Sequence, residues 1–378
     1  MSKTAYLVLE NGKIFEGKFF GAERERETFG EIVFTTGMTG YLETLTDNSY
    51  YGQIILQTFP LIGNYGVISP DFENSSDKKI VASAYIVKSW CEEPSNFRSE
   101  GNLDTFLKAQ DITGVYGIDT REVTKIIREN GVMNAKITNN INDINDINFE
   151  EIKDYKITNA VENVSCKTIK EYKSKYSRYR VAMLDFGMKE SVKQKLLDRD
   201  CDVFIMPYNE TAGHIKLGRD INGIVLSDGP GNPADNIEII NNLKEIIKLN
   251  IPIFGIGLGH QLLALANGFR TKKLKYGHRG ANQPVRDLST GKVYITNQNH
   301  GYEVMTESVD DNSAIMDFEN VNDKTCEGIK YKNYPHVFSV QFTPDDCESP
   351  HGTGFLFSRF LENMDICNGK RNKTNGGI

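Results

Sequence analysis

The stretch IPIFGIGLGHQLLALANG, residues 251–268, constrains the fold more than any other part of this chain. A short apolar run over 251–256 passes through a tight glycine turn into an apolar helix predicted over 258–267. A strand can enter a helix through one residue only if that residue takes a backbone conformation that L side chains avoid. Such a junction exposes one position beside free N–H groups at the helix start, which is how α/β enzymes present a nucleophile. The surrounding rhythm agrees. RVAMLDFG, DVFIMPY, GIVLSDGPG and IPIFGIG read as short buried strands, separated by the helical segments KESVKQKLLDRD and NIEIINNLKEIIKL. Strands alternating with helices predict a mainly parallel open sheet. Ligands in such sheets lie beyond the carboxyl ends of the strands. KVYITNQNHGYEV and HVFSVQFTPDD read as later strands that end in polar loops.

The first half has a different character. YLVLENGKIFEGKFFG reads as two strands around Asn11-Gly12, a signal for a hairpin with a type I′ turn. EIVFTTG and KKIVASAYIVKSW add strand-like runs. NLDTFLKAQ and TREVTKIIRENG read as helices, the second with Thr120 as N-cap and Gly131 as its C-terminal stop. Residues 137–178 are weakly apolar, and the segment CKTIKEYKSKYSRY within them is rich in Lys and Tyr. The expected organisation is a β-rich α/β domain over 1–155, a linker over 156–178, a second α/β domain over 179–366 and a polar tail over 367–378.

Composition narrows the function classes. Hydrophobic residues make up 39% and charged residues 25%, with a mean hydropathy of −0.42, as in ordinary globular proteins. No apolar run approaches the roughly 18 residues a membrane span needs. A formal net charge of −7 disfavours a nucleic-acid or anionic-membrane binder. The charge is uneven: residues 1–155 carry 15 Lys+Arg against 24 Asp+Glu. Six scattered cysteines without a CxxC pair point to free thiols in a reducing cytoplasm, with no disulfide framework or metal site. A dinucleotide loop built on Gly255, Gly257 and Gly259 fits poorly. It would need glycine where His260 stands, and no acidic residue follows about 20 positions on.

The elbow segment resembles that of the class I triad glutamine amidotransferases, whose pattern is G-[IV]-C-x-G-H-Q. The resemblance extends along the chain to the small subunit of carbamoyl phosphate synthetase. It is carried by TTGMTGYLETLTDNSYYGQI, FPLIGNYG and GIDTREVTKIIRENG in the first domain. In the second it is carried by DFGMKES, LSDGPGNPAD, the elbow, YGHRGANQPV, NQNHGYEV and FSVQFTPD. It implies a Cys–His–Glu glutaminase and a large-subunit partner that makes carbamoyl phosphate from bicarbonate, ATP and ammonia for arginine and pyrimidine synthesis. It places no cofactor in this chain and expects ATP and magnesium on the large subunit. It implies an N-terminal domain that docks the large subunit.

The sequence departs from that pattern at all three triad positions. Gly257 stands at the cysteine position, Thr343 at the histidine position and Asp345 at the glutamate position. Glycine has no nucleophile, and a threonine hydroxyl is no base near neutral pH. The expectation is a chain that has lost its own glutaminase and supports an ammonia-dependent complex. Ser49, Gly229, Gly231, Leu258, Gln261, Asn299, Gly301 and Tyr302 match the family's glutamine-contacting positions, so glutamine is expected to bind without being cleaved. The rival expectation is a stand-alone glutamine-binding or regulatory protein on the same scaffold. Cys347, two residues past Asp345, reads as an incidental thiol.

Overall fold

A computed structural model describes residues 3–23, 27–74, 79–140, 147–345 and 352–374. The chain forms two compact units, Met1–Ala160 and Val161–Ile378. Residues 156–178, read as a linker, are divided between them. Ala160–Val164 is helical, and Lys170–Tyr172 is a strand that joins the second unit's sheet against Cys201–Pro207.

The first unit is built on a closed seven-stranded barrel. Around it run Thr4–Leu9, Ile14–Gly21, Thr113–Tyr116, Ala84–Val87, Gln53–Gln57, Thr28–Thr35 and Met133–Thr138. The predicted hairpin forms, with Val8 opposite Ile14. Its turn is not type I′. Only Gly12 of the Asn11-Gly12 pair has a positive φ, 89°, and its N–H donates to the Leu9 carbonyl. That is a type I turn closed by a glycine bulge, a three-residue loop that also suits the strand twist. The helix Thr120–Asn130 is capped by Asp119, whose carboxylate accepts from the N–H groups of Arg121 and Glu122. Thr120 is therefore the first helical residue rather than the cap. Gly131 ends the helix at φ 96°.

The second unit contains a ten-stranded sheet. Five strands run parallel, in the order Cys201–Pro207, Tyr179–Asp185, Gly223–Leu226, Ile253–Ile256 and Val337–Val340. Antiparallel strands extend it beyond Val337–Val340. Both faces of the parallel strands are covered, so their sequences are continuously apolar rather than alternating. On one face Leu226, Leu243, Ile246 and Leu262 pack together. On the other, Phe254 stacks on Phe338 at 4.5 Å, and Phe357 meets Phe254 edge-on at 5.8 Å. Burial of each such ring contributes about 1.5–3 kcal/mol.

The later strand read over KVYITNQNHGYEV forms as Val293–Val304, with NQNHGY inside it rather than in a loop at its end. One expectation changes here. The polar tail expected from 367 is largely helical, because the helix Phe355–Thr374 runs through it. Its buried stripe of Leu356, Phe357, Phe360 and Met364 anchors it to the sheet. Cys347 lies outside the described residues.

Candidate functional site

The carboxyl ends of the parallel strands converge on the predicted elbow. The strand Ile253–Ile256 enters Gly257, and the helix Leu258–Ala266 starts immediately after it. Gly257 has φ 55° and ψ −113°, a region that glycine enters freely and other residues enter at about 1–3 kcal/mol. Its N–H donates to the Val340 carbonyl at 3.0 Å, which fixes the turn to the neighbouring strand. Gly259 packs so closely on Leu226 that a Cβ would overlap the strand backbone. The N–H of Gly259 donates to Ser227 at 3.0 Å. The elbow is therefore held from both sides, and its geometry does not depend on a side chain at position 257.

The space in front of the elbow is occupied by Asp228. Its Oδ1 accepts from the N–H of Gly229 at 2.8 Å and from the N–H of Leu258 at 3.0 Å. Its Oδ2 lies 3.5 Å from Lys189 Nζ. Lys189 Nζ also donates to Thr343 Oγ1 at 3.1 Å. Asp228, Lys189 and Thr343 are all buried. A Cβ added to Gly257 would collide with the Asp228 carboxylate. Neither Asp228 nor Lys189 stands out in the sequence as a site residue. The available signal was a carboxylate directly before Gly229 combined with a missing side chain at Gly257.

The three positions matched to the triad do not form a unit. Gly257 supplies backbone only. Thr343 bridges to Asn297 through its N–H and receives Lys189. The Asp345 side chain is 68% exposed and lies 3.9 Å from Lys195, which itself donates to the Pro344 carbonyl at 2.8 Å. Asp345 is thus turned to solvent and to the largely buried Lys195, away from the elbow network.

Of the expected glutamine-contacting positions, Gly229 and Leu258 do converge, but on Asp228. Gly231 takes φ 90° in the turn that follows. Gln261 is a brace: its Nε2 donates to the Tyr302 carbonyl at 2.7 Å and to Gln341 Oε1 at 2.9 Å. Asn299, Gly301 and Tyr302 all lie in the strand Val293–Val304, with Asn299 opposite Arg279. Ser49 belongs to the first unit, in the short turn Asn48–Tyr50, where its N–H donates to Asp47 at 2.9 Å.

The histidines near the elbow are poor proton carriers. His260 is fully buried on Ser339 at 2.8 Å, and burial pushes its pKa down to about 3. His300 is likewise held neutral by burial, with the nearby His278 adding to the effect. Its ring nitrogens face the Tyr302 carbonyl at 2.8 Å and Gln298 Oε1 at 2.9 Å. Burial opposes charge on His278 as well. Its hydrogen bond to Asp323 at 2.8 Å and the Glu327 carboxylate outweigh that and raise it to about 9. His278, His300 and Glu327 bring potential ligand atoms within 4.8 Å of one another. His278 there faces two carboxylates, Asp323 at 2.8 Å and Glu327 at 3.5 Å.

The buried thiols among the described residues are poorly suited to act as nucleophiles. Burial pushes Cys166, Cys201 and Cys326 up to about 12, with Asp185 adding to the effect at Cys166. Among the described residues no cysteine lies at the elbow. Nor, among them, is any helix long and apolar enough to cross a membrane.

Comparison with known proteins fits this geometry. Residues 7–137 match the family described as carbamoyl-phosphate synthase small chain, CPSase domain. Residues 182–363 match glutamine amidotransferase class-I. The carbamoyl phosphate synthase small chain of Fusobacterium nucleatum subsp. nucleatum is 44% identical over 359 residues, covering 95% of this chain and 98% of the relative. That of Bacillus cereus is 46% identical over 356 residues, covering 94% of each. That of Streptococcus agalactiae is 45% identical over 359 residues, covering 95% and 97%. With an N-terminal small-chain domain, an amidotransferase domain and an elbow between strand and helix, this chain belongs to the carbamoyl phosphate synthase small-chain family.

Proposed function

We propose that this chain is the small subunit of a carbamoyl phosphate synthetase that runs on free ammonia, because its own glutamine-hydrolysing step is missing. The observation that carries this is Gly257 at the elbow. Glutaminase chemistry of this class forms a bond from a thiolate to the carboxamide carbon and expels ammonia. Water then cleaves the thioester to release glutamate. Gly257 offers no atom for the first bond. Thr343 receives a hydrogen bond from Lys189 and cannot take the nucleophile's proton. His260, fixed on Ser339 and held uncharged by burial, cannot stand in for the missing base.

Family membership supports the remaining roles. The partner is a large subunit, which would bind ATP and magnesium and make carbamoyl phosphate for arginine or pyrimidine synthesis. The first unit, which matches the small-chain domain, is the docking body. That domain favours a synthetase subunit over a stand-alone regulator. The chain's place is in the cytoplasm, where that chemistry runs. Retention of glutamine is a separate matter, because the two N–H donors expected to receive its amide oxygen are already engaged by Asp228.

The direct test measures glutamate released from glutamine by the purified chain, alone and with its large subunit. The expected rate is indistinguishable from that of buffer. A rate within about a hundredfold of a working glutaminase, far above the 10⁴ to 10⁶ loss that follows removal of a nucleophile, would refute the proposal.

A further inference from the structure

We propose that Asp228 is a built-in occupant of the elbow's oxygen-binding donors, and that it closes the pocket to glutamine independently of the three triad positions. This rests on the reading of the site as a former glutaminase centre. Two backbone N–H groups that converge on one oxygen mark the place where a developing oxyanion is stabilised. Here those groups, on Gly229 and Leu258, hold Asp228 Oδ1 at 2.8 Å and 3.0 Å. The other carboxylate oxygen lies 3.5 Å from Lys189, and both partners are buried. The donors are therefore filled by a charged, tethered acceptor.

Entry of a substrate carboxamide would exchange charge-assisted hydrogen bonds for neutral ones, which are about half as strong. It would also pull the carboxylate away from a buried lysine, leaving that cation with less compensation. Tethering adds to the imbalance, because Asp228 is already ordered at the site and a free ligand is not.

Gly257 and Asp228 act as one packing unit. A side chain at 257 would collide with the carboxylate, so the room left by the absent thiol is what Asp228 fills. Returning a cysteine to 257 alone would force Asp228 out of its hydrogen bonds or leave the thiol displaced. A residue outside the three triad positions thus also stands against glutamine chemistry.

The test is calorimetric titration of L-glutamine into the full chain, native and Asp228→Ala, with Asp228→Asn as a second variant in case alanine prevents folding. Circular dichroism and cooperative unfolding establish that each protein is folded. Sodium formate against sodium chloride at equal ionic strength serves as the anion probe. The expected result is no saturable heat for the native chain at 10 mM glutamine, and binding at least about tenfold tighter in the variant, as for loss of one charged competitor. Formate should raise the melting temperature of Asp228→Ala and leave the native chain unchanged. Equal glutamine binding in native and variant, or none in either while both are folded, overturns the proposal. So does a folded Asp228→Ala chain that ignores formate. Glutamate release by the native complex would instead overturn the proposed function, so the two failures are distinguishable.

Discussion

Gly257 sits at φ 55° and ψ −113° with the Asp228 carboxylate where its Cβ would be. Two penalties therefore meet any side chain at this position, one from the backbone and one from overlap. Gly257→Ala should destabilise the fold by about 2–4 kcal/mol, read from thermal or urea unfolding. Asp228→Ala should remove the overlap part, so the double variant should show a coupling of about 1 kcal/mol or more between the two sites. Additive effects would mean that the two residues are not one packing unit. His278 gives a pH-dependent counterpart. Its pKa is raised to about 9 from 6.5, and that of Asp323 is lowered to about 2 from 3.8. The His278 contribution is full below pH 6.5 and is lost as pH rises through 9. The Asp323 contribution is full above pH 4 and is lost as pH falls through 2. Between pH 6.5 and 9 unfolding free energy should fall by roughly 2–3 kcal/mol on this account. His278→Gln should flatten that slope. An unchanged slope in the variant would show that the titration belongs to another group.

The junction of Ile253–Ile256 with Leu258–Ala266 was legible in the sequence because local pattern specifies it: apolar strand, glycine turn, apolar helix. Gly257, Thr343 and Asp345 were singled out by the family resemblance rather than by local pattern. Asp228 could not be, because its role arises only when two loops 30 residues apart meet. The polar run NQNHGY lies within the long strand Val293–Val304 rather than in a loop at its end. There Gln298 and His300 bond to one another and to neighbouring groups, so polarity marks a buried network and not a surface. The Asn11-Gly12 turn was found but mistyped, since the pair is compatible with both an I′ turn and a glycine bulge. At this scale the sheet beneath the elbow is set by aromatic packing. Phe254 is buried between Phe338, Phe357 and Phe360. Phe254→Ala should cost about 3–5 kcal/mol in equilibrium unfolding. A loss under about 1 kcal/mol would mean that the aromatic layer does not hold the strand.

For the whole molecule, domain content and function separate. The barrel unit and the sheet unit both carry the family's sequence signature, and the relatives match over nearly the full length of this chain. Gly257 and Thr343 follow the carboxyl ends of the parallel strands Ile253–Ile256 and Val337–Val340. On the function proposed above, the amidotransferase scaffold keeps its core and loses its reaction. The measurement that tests this most directly is carbamoyl phosphate formation by the purified chain together with its large subunit, with ATP, magnesium and bicarbonate present. Glutamine and ammonium are supplied in separate reactions. The account predicts product with ammonium and none above background with glutamine. Glutamine-dependent product at a rate matching ammonium would contradict it.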